Sequence, residues 1–373
     1  MEEKMKKKAL AFALIAAMVI GAAVIAGCAA PAPRGQAEVA PQRADIPTVY
    51  FTSDLSGEGL LRAFRALGAD LGGYNVAVNI HGGEPNSFAL SADFMDILRV
   101  YVNGTFVETN TAYGSQRDAT ATHRQVAEAL GFSGARTINI MDATGDKQIP
   151  VNTGRRLNYN LVGNQFGNFD FYVNFSHFTG HSMSGFGGAL KNMSLGLSSA
   201  DGKRLIHSGG HSRTASIFGP HPLAAFHEAI AEASLSVYHA LEGRILHITV
   251  LDNLSIFCDC LGAAQPAPDI GDIGILASWD AVAIDQAAKD LIWRRNLSHA
   301  RPTTFMPGRT VPPHSTDPAN VNFPAAAVNA GARLDGEGIA LVQMFETTNS
   351  QWILDYAQRI GLGSTAYVLV SLD

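Results

Sequence analysis

Short runs of β-branched and aromatic residues alternate with segments of helical spacing along most of the chain, and this alternation limits the fold more than any other feature. "TVYFTS" and "YNVAVNIHG" read as strands, with "GEGLLRAFRALGAD" between them at helical spacing, a β-α-β unit. "SADFMDILRVYV" leads as a helix toward "TFVETNT", and "ATATHRQVAEALGF" toward "ARTINIMDA". "FDFYVNFSHF" is a strand, "PLAAFHEAIAEASLSVYHAL" a long amphipathic helix, and "RILHITVLDNL" the strand after it. "IGILASWDAVAIDQAAKDLIW" supplies a short strand and a helix, and "SQWILDYAQRIGLGS" a last helix before the strand "AYVLVSL". Strands separated by helices of this length predict an α/β fold: a mostly parallel sheet with helices on both faces, in a single large domain over residues 47–373.

The N-terminus reads differently. Lys4, Lys6, Lys7 and Lys8 precede an apolar stretch from Ala9 to Ala26, the layout of an export signal, and it ends in "IAGC". A small residue before Cys28 at that point matches a bacterial lipoprotein box, so residues 1–27 are expected to be a signal peptide and Cys28 to be acylated and held in membrane lipid. A plain membrane anchor is the other reading, since the apolar stretch is just long enough to span. Residues 28–46, rich in Ala and Pro, read as an extended tether. The expected location is the cell envelope, outside the cytoplasmic membrane or in the periplasm. Removing residues 1–27 takes away four Lys and two Glu, leaving the exported part more acidic than the whole chain's −6. No later cluster of Lys and Arg exists to bind nucleic acid.

Polar groups gather where this architecture binds ligands, after the carboxyl ends of strands. His81 and Glu84 follow one predicted strand. Glu108, Asn110, Thr111 and Tyr113 follow the next, with Arg117 and His123 beyond, and His177 and His181 follow a third. Cys258 and Cys260 follow a fourth. A Cys-x-Cys disulfide closes a very small ring, so the two sulfurs are read either as a soft-metal pair with a possible redox role or as buried free thiols. Gly185, Gly187 and Gly188 lead into Lys191 and Asn192, a bare turn whose amides could cradle a cofactor's anionic group. A transition metal, namely zinc, iron or nickel, would draw nitrogen from His81, His177 and His181 and sulfur from Cys258 and Cys260. Glu84 or Glu108 would then move protons, and Lys191 would polarise a small-molecule substrate. His227, His239 and His247, in the long helix and the strand after it, read as structural.

Several segments together resemble the family catalogued as domain of unknown function 362, often labelled uncharacterised iron–sulfur centre proteins. They are "VNIHGGEPN", "VETNTAYGSQRDATATH", "FSHFTGHSMSGFGGALKNMSLGLSSADGKRLIH", "FCDC", "PDIGDIGILASWDAVAIDQAAKDL" and "IGLGSTAYVLVSLD". Many relatives carry a ferredoxin-like insert after the segment matching "GKRLIH"; here that interval is "SGGHSRTASIFGPHP", without cysteine, so no ferredoxin-type cluster is expected. Thr179 stands where the family more often has Lys, and Ala143 follows Asp142 where relatives often have Gly. Three functional classes fit: a metal-dependent or redox enzyme of unknown substrate, a non-catalytic lipoprotein that binds a small ligand or metal, and an accessory member of the family. Residues 301–324, with six prolines, read as a long surface loop.

Overall fold

A computed structural model describes residues 46–260, 268, 270–299 and 339–373. Residues 1–27, Cys28 with most of the tether, and the 301–324 loop lie outside the described residues.

The chain runs through β1 (Thr48–Thr52), α1 (Gly57–Ala66), β2 (Val76–Asn79), α2 (Ala92–Tyr101), β3 (Thr105–Glu108), α3 (Thr120–Ala129) and β4 (Asn139–Ile140). It continues through β5 (Asp146–Pro150), β6 (Tyr159–Gly163), β7 (Phe171–His177), β8 (Thr179–His181), β9 (Gly185–Gly187), α4 (Ala189–Leu195) and α5 (Ala200–His207). Last come α6 (Leu223–Ala240), β10 (Ile245–Leu251), β11 (Gly274–Ser278), α7 (Ala281–His299), α8 (Ile339–Thr347), α9 (Gln351–Arg359) and β12 (Val368–Ser371). Several helices begin on a serine cap: Ser56, Ser91 and Ser199 each accept a hydrogen bond from the amide three residues on.

Eight strands form one sheet in the order β12-β1-β11-β10-β7-β2-β3-β4. All pairs are parallel except those of β11, which is antiparallel to both β1 and β10. The predicted mostly parallel α/β sheet is therefore observed, with strands from both ends of the chain in it. The two-stranded pairs β5–β6 and β8–β9 are absent from the sequence reading, and strand order and direction also differ from it. β1 and β2 are not sheet neighbours, because β11, β10 and β7 lie between them, and β11 runs against the rest. Residue periodicity sets which positions are buried but carries no information on strand order or direction.

The sheet is covered on both faces, as expected. Along β7, Phe171, Val173 and Phe175 join the cluster beneath α1 and α2, whereas Tyr172 joins the larger cluster with α4, α6, α7 and α9. The larger-cluster face also carries a buried polar stripe. Asn79 Nδ2 donates to Asn174 Oδ1 (2.9 Å) and to the Asn192 carbonyl (3.0 Å), and Asn174 Nδ2 donates to the Ala189 carbonyl (2.9 Å) and to His247 Nδ1 (3.0 Å). These bonds dock α4 onto the ends of β2 and β7. Helix α6 proves to be buried on all sides from Leu223 to Val237 rather than amphipathic, because layers of structure cover both of its flanks. Its Glu232 carboxylate accepts from the amides of Arg155, Arg156 and Leu157 and from the Tyr356 hydroxyl, so this charged group in an apolar helix is fully occupied.

Candidate functional site

Because β2, β3, β7 and β10 are parallel, their carboxyl ends share one edge of the sheet, and the segments leaving them build the site. After β2 the chain turns through Gly83, whose φ of +81° favours glycine; a Cβ there would lie 2.5 Å from that of Ala89. This turn brings Glu84 to Arg117. The buried guanidinium donates from Nε to Glu84 Oε1 (2.9 Å) and from Nη1 to Glu108 Oε1 (2.7 Å). His123, fully buried, reaches the other Glu108 oxygen at 3.2 Å, and His81 Nδ1 lies 3.1 Å from Oε1. Burial opposes the charge on Glu108, but Arg117 and the hydrogen bonds from His123 and His81 outweigh it and hold the carboxyl well below its usual range. His81 Nδ1 stands between Arg117 Nη1 at 3.3 Å, which can only donate, and the nearer Glu108 oxygen, which can only accept; a proton on Nδ1 serves the charged carboxylate and leaves the Nε2 lone pair available. Burial and the nearby Arg117 charge lower the His81 pKa and keep the ring neutral.

His177 is held differently. Its Nδ1 contacts Asp259 Oδ2 at 2.8 Å and its Nε2 the Asp252 carbonyl at 2.5 Å. Both partners accept, so both ring nitrogens carry protons. Burial disfavours that charge, yet Asp259 and the Asp252 carbonyl more than compensate and raise the pKa. Asp259 sits between Cys258 and Cys260, which are joined as a disulfide with their Cα atoms 5.2 Å apart. The reading of this pair as free thiols or a shared metal pair is corrected here, since neither sulfur is a thiolate in this state.

At His181 the backbone amides of Met183 (3.2 Å) and Ser184 (3.0 Å) both donate to Nδ1. That lone pair is used, so the neutral ring carries its proton on Nε2. Burial, then the Lys191 charge, lowers the pKa well below the usual value and keeps the ring neutral. The Lys191 ammonium makes no hydrogen bond among the described residues, and burial brings its pKa to about 8. The glycine turn does not present a free cradle. The amides of Ala189 and Leu190 donate to the Asp285 carboxylate at 2.7 and 2.9 Å, and a Cβ on Gly188 would lie 2.3 Å from Asp285 Oδ1. Gly185 packs against Thr348 and Ser350 instead, and the Asn192 amide is spent on Asn174, Asn79 and Phe175. The Ala189 and Leu190 amides and the Asn192 side chain therefore dock α4 instead of forming a cradle, and Gly185 lies away from the pocket, whereas Gly187 stays on its wall.

These groups converge on one pocket with about 210 Å³ for the centres of water-sized molecules. His81, Glu108, His177, His181, Gly187, Gly188, Lys191, Asn192, Cys258 and Cys260 all line it; Glu84 and Gly185 do not. Lys203 and His207 line it too and were not singled out from the sequence. Lys203 donates to Thr109 Oγ1 and to the Ser198 carbonyl (2.8 Å), and burial lowers its pKa to about 8. His207 Nδ1 donates to the Lys203 carbonyl at 2.7 Å, and burial takes its pKa to about 4. The signal was present in "GKRLIH", where a lysine and a histidine four apart share one helix face.

Residues 76–290 match the family model described as Domain of unknown function (DUF362). The chain belongs to this family. No curated protein matches it. Among solved structures, this DUF362 member is similar to the lactate racemase apoprotein from Thermoanaerobacterium thermosaccharolyticum, at 13% identity and a TM-score of 0.35. The likeness covers 54% of this chain and 50% of that one.

The donors around this pocket do not fit the transition metal expected from the sequence. His177 has no lone pair, His181 spends its lone pair on two amides, and Cys258 and Cys260 are bonded to each other. Among the described residues, no three His, Cys, Asp or Glu side chains are placed to share an ion. In place of the five-ligand set expected from the sequence, His181 and Lys191 present N–H donors to the pocket, His177 spends both of its N–H groups on Asp259 and the Asp252 carbonyl, and His81 and His207 keep a lone pair.

Proposed function

We propose that the pocket binds a small carboxylate-bearing molecule and moves a proton on it, in a protein tethered through acylated Cys28 outside the cytoplasmic membrane. The observation that carries this reading is the Lys191 ammonium, which faces the pocket without a hydrogen-bond partner among the described residues. Lys191 is half-buried, so its ammonium is incompletely hydrated, and an anion entering the pocket would replace the missing water. His181 Nε2–H supplies a second donor beside it. Arg117, His177, Lys191 and Lys203 stand against Glu84, Glu108 and Asp259, so the cavity is cationic within an acidic chain.

The chemistry follows from the His81 lone pair and the Lys191 ammonium. His81 is oriented by Glu108 as a general base, the arrangement in which a carboxylate fixes the tautomer and supports the imidazolium that forms. Lys191, with a pKa of about 8, holds the anion and serves as the matching acid. The second reading, capture of the same anion without turnover, rests on the same contacts.

Calorimetric titration of the purified full chain with a panel of small mono- and dicarboxylates tests the reading, with inorganic phosphate as comparison. A carboxylate that binds wild type and loses tenfold or more affinity in Lys191→Met supports it. Exchange of a substrate C–H proton with solvent, lost in His81→Gln, separates the enzyme from the carrier. No binding by any carboxylate, or binding indifferent to Lys191→Met, overturns it.

A further inference from the structure

We propose that Cys258 and Cys260 are a redox centre of the pocket wall, a disulfide that takes two electrons from a compact dithiol and returns them. The pair opens onto the same cavity as His177 and Lys191. It is a poor structural staple: loop-closure entropy grows with loop length, and cysteines separated by 2 positions close almost the smallest loop a chain can make. The segment is also already tied in place by other bonds. The Glu84 amide donates to the Asp259 carbonyl at 3.1 Å, the Gly180 amide to the Ser255 carbonyl at 2.7 Å, and His177 to the Asp259 carboxylate. A bond that adds so little constraint, placed against a solvent-reaching cavity, is suited to chemistry.

The two sulfurs are not equivalent. Cys258 is 5% exposed, whereas Cys260 is only partly buried, so an incoming thiolate meets Cys260 first. It bonds to the Cys260 sulfur as the Cys258–Cys260 bond breaks, and Cys258 leaves as a thiolate and takes a proton from solvent. The second thiol of the dithiol, deprotonated, then attacks its own sulfur in the mixed disulfide. This releases Cys260, which is protonated in turn, and the reductant departs as a cyclic disulfide. The surrounding cations, His177 and Lys191, favour the thiolate forms.

The test is native-state alkylation of the full chain in mixtures of reduced and oxidised dithiothreitol, read by mass spectrometry on the peptide holding both cysteines so that Cys28 is counted apart. No added ligand is needed, so the result is independent of the carboxylate reading. Without reductant the pair should resist maleimide; with it, both sulfurs should be alkylated together while the melting transition persists, and oxidised dithiothreitol should reverse the change. In single variants, Cys260 (Cys258→Ser) should form a mixed disulfide with oxidised glutathione at least tenfold faster than Cys258 (Cys260→Ser). Full alkylation without reductant, reduction only in denaturant, or equal rates for the two single variants would each overturn the assignment.

Discussion

Asp285 Oδ1 lies 2.7 Å from the backbone nitrogen of Ala189, so an aspartate on α7 caps the helix that carries Lys191. Burial raises the Asp285 pKa to about 7. In the unfolded chain the group ionises near 3.8. Between those values the folded state holds the extra proton, so the contribution of Asp285 to stability declines as pH rises from about 4 to 7 and is at its least favourable above that. Urea denaturation of wild type and Asp285→Asn at pH 5 and 7.5 should show a shallower pH dependence in the variant. An identical difference between the two pH values in both proteins would contradict this.

Arg117 bridges Glu84 and Glu108, with exposure of 2% on its side chain. Arg117→Met leaves two buried carboxylates without their counter-charge. A loss of about 3–5 kcal/mol is expected, or failure to fold at neutral pH. Chemical denaturation measures it, and a loss below about 1 kcal/mol would show that the network is dispensable.

The ring states of the histidines are directly observable. Nitrogen-15 NMR at pH 7 should find His177 protonated on both nitrogens and His181 as the Nε2–H tautomer, since their partners are acceptors in one case and amides in the other. His177 should remain charged above its ordinary pKa and His181 remain neutral below its own. A metal-bound signature on either ring would restore the ligand set that the hydrogen bonds exclude.

Carboxylate affinity should depend on pH through Lys191. Binding is expected to be strongest below about 8 and to weaken as pH rises through that value and the ammonium loses its proton. Lys191→Arg should move the decline upward, and Lys191→Met should remove it at lower affinity. Calorimetry across pH 6.5 to 9.5 on the same ligand separates these outcomes.

Elemental analysis of the full chain, purified without chelator or His tag, should find metal far below one ion per chain. Near-stoichiometric metal that disappears in His177→Ala/His181→Ala would refute the hydrogen-bond argument.

The sequence by itself determined most strands of the main sheet and the helices between them, though not the β5–β6 and β8–β9 pairs or helices α5 and α8, and it placed His81, Glu108, His177 and Lys191 at or just after strand ends. Periodicity and turn residues act over a few positions, and a parallel sheet then gathers those ends on one edge. What the tertiary structure alone decided is the chemical state of each group. The proton on His177 depends on Asp259, 82 positions away, and the glycine turn is filled by Asp285, 96 positions from Ala189. Lys203 and His207 enter the pocket only because α5 packs beside α4 and α6. Strand order was equally hidden: Thr48 pairs with Val368 at the far end of the chain, and no local pattern records that register. Local spacing chooses conformation, but hydrogen bonds between distant segments choose tautomer, charge and ligand capacity, because those depend on which acceptor or donor the fold brings within about 3 Å.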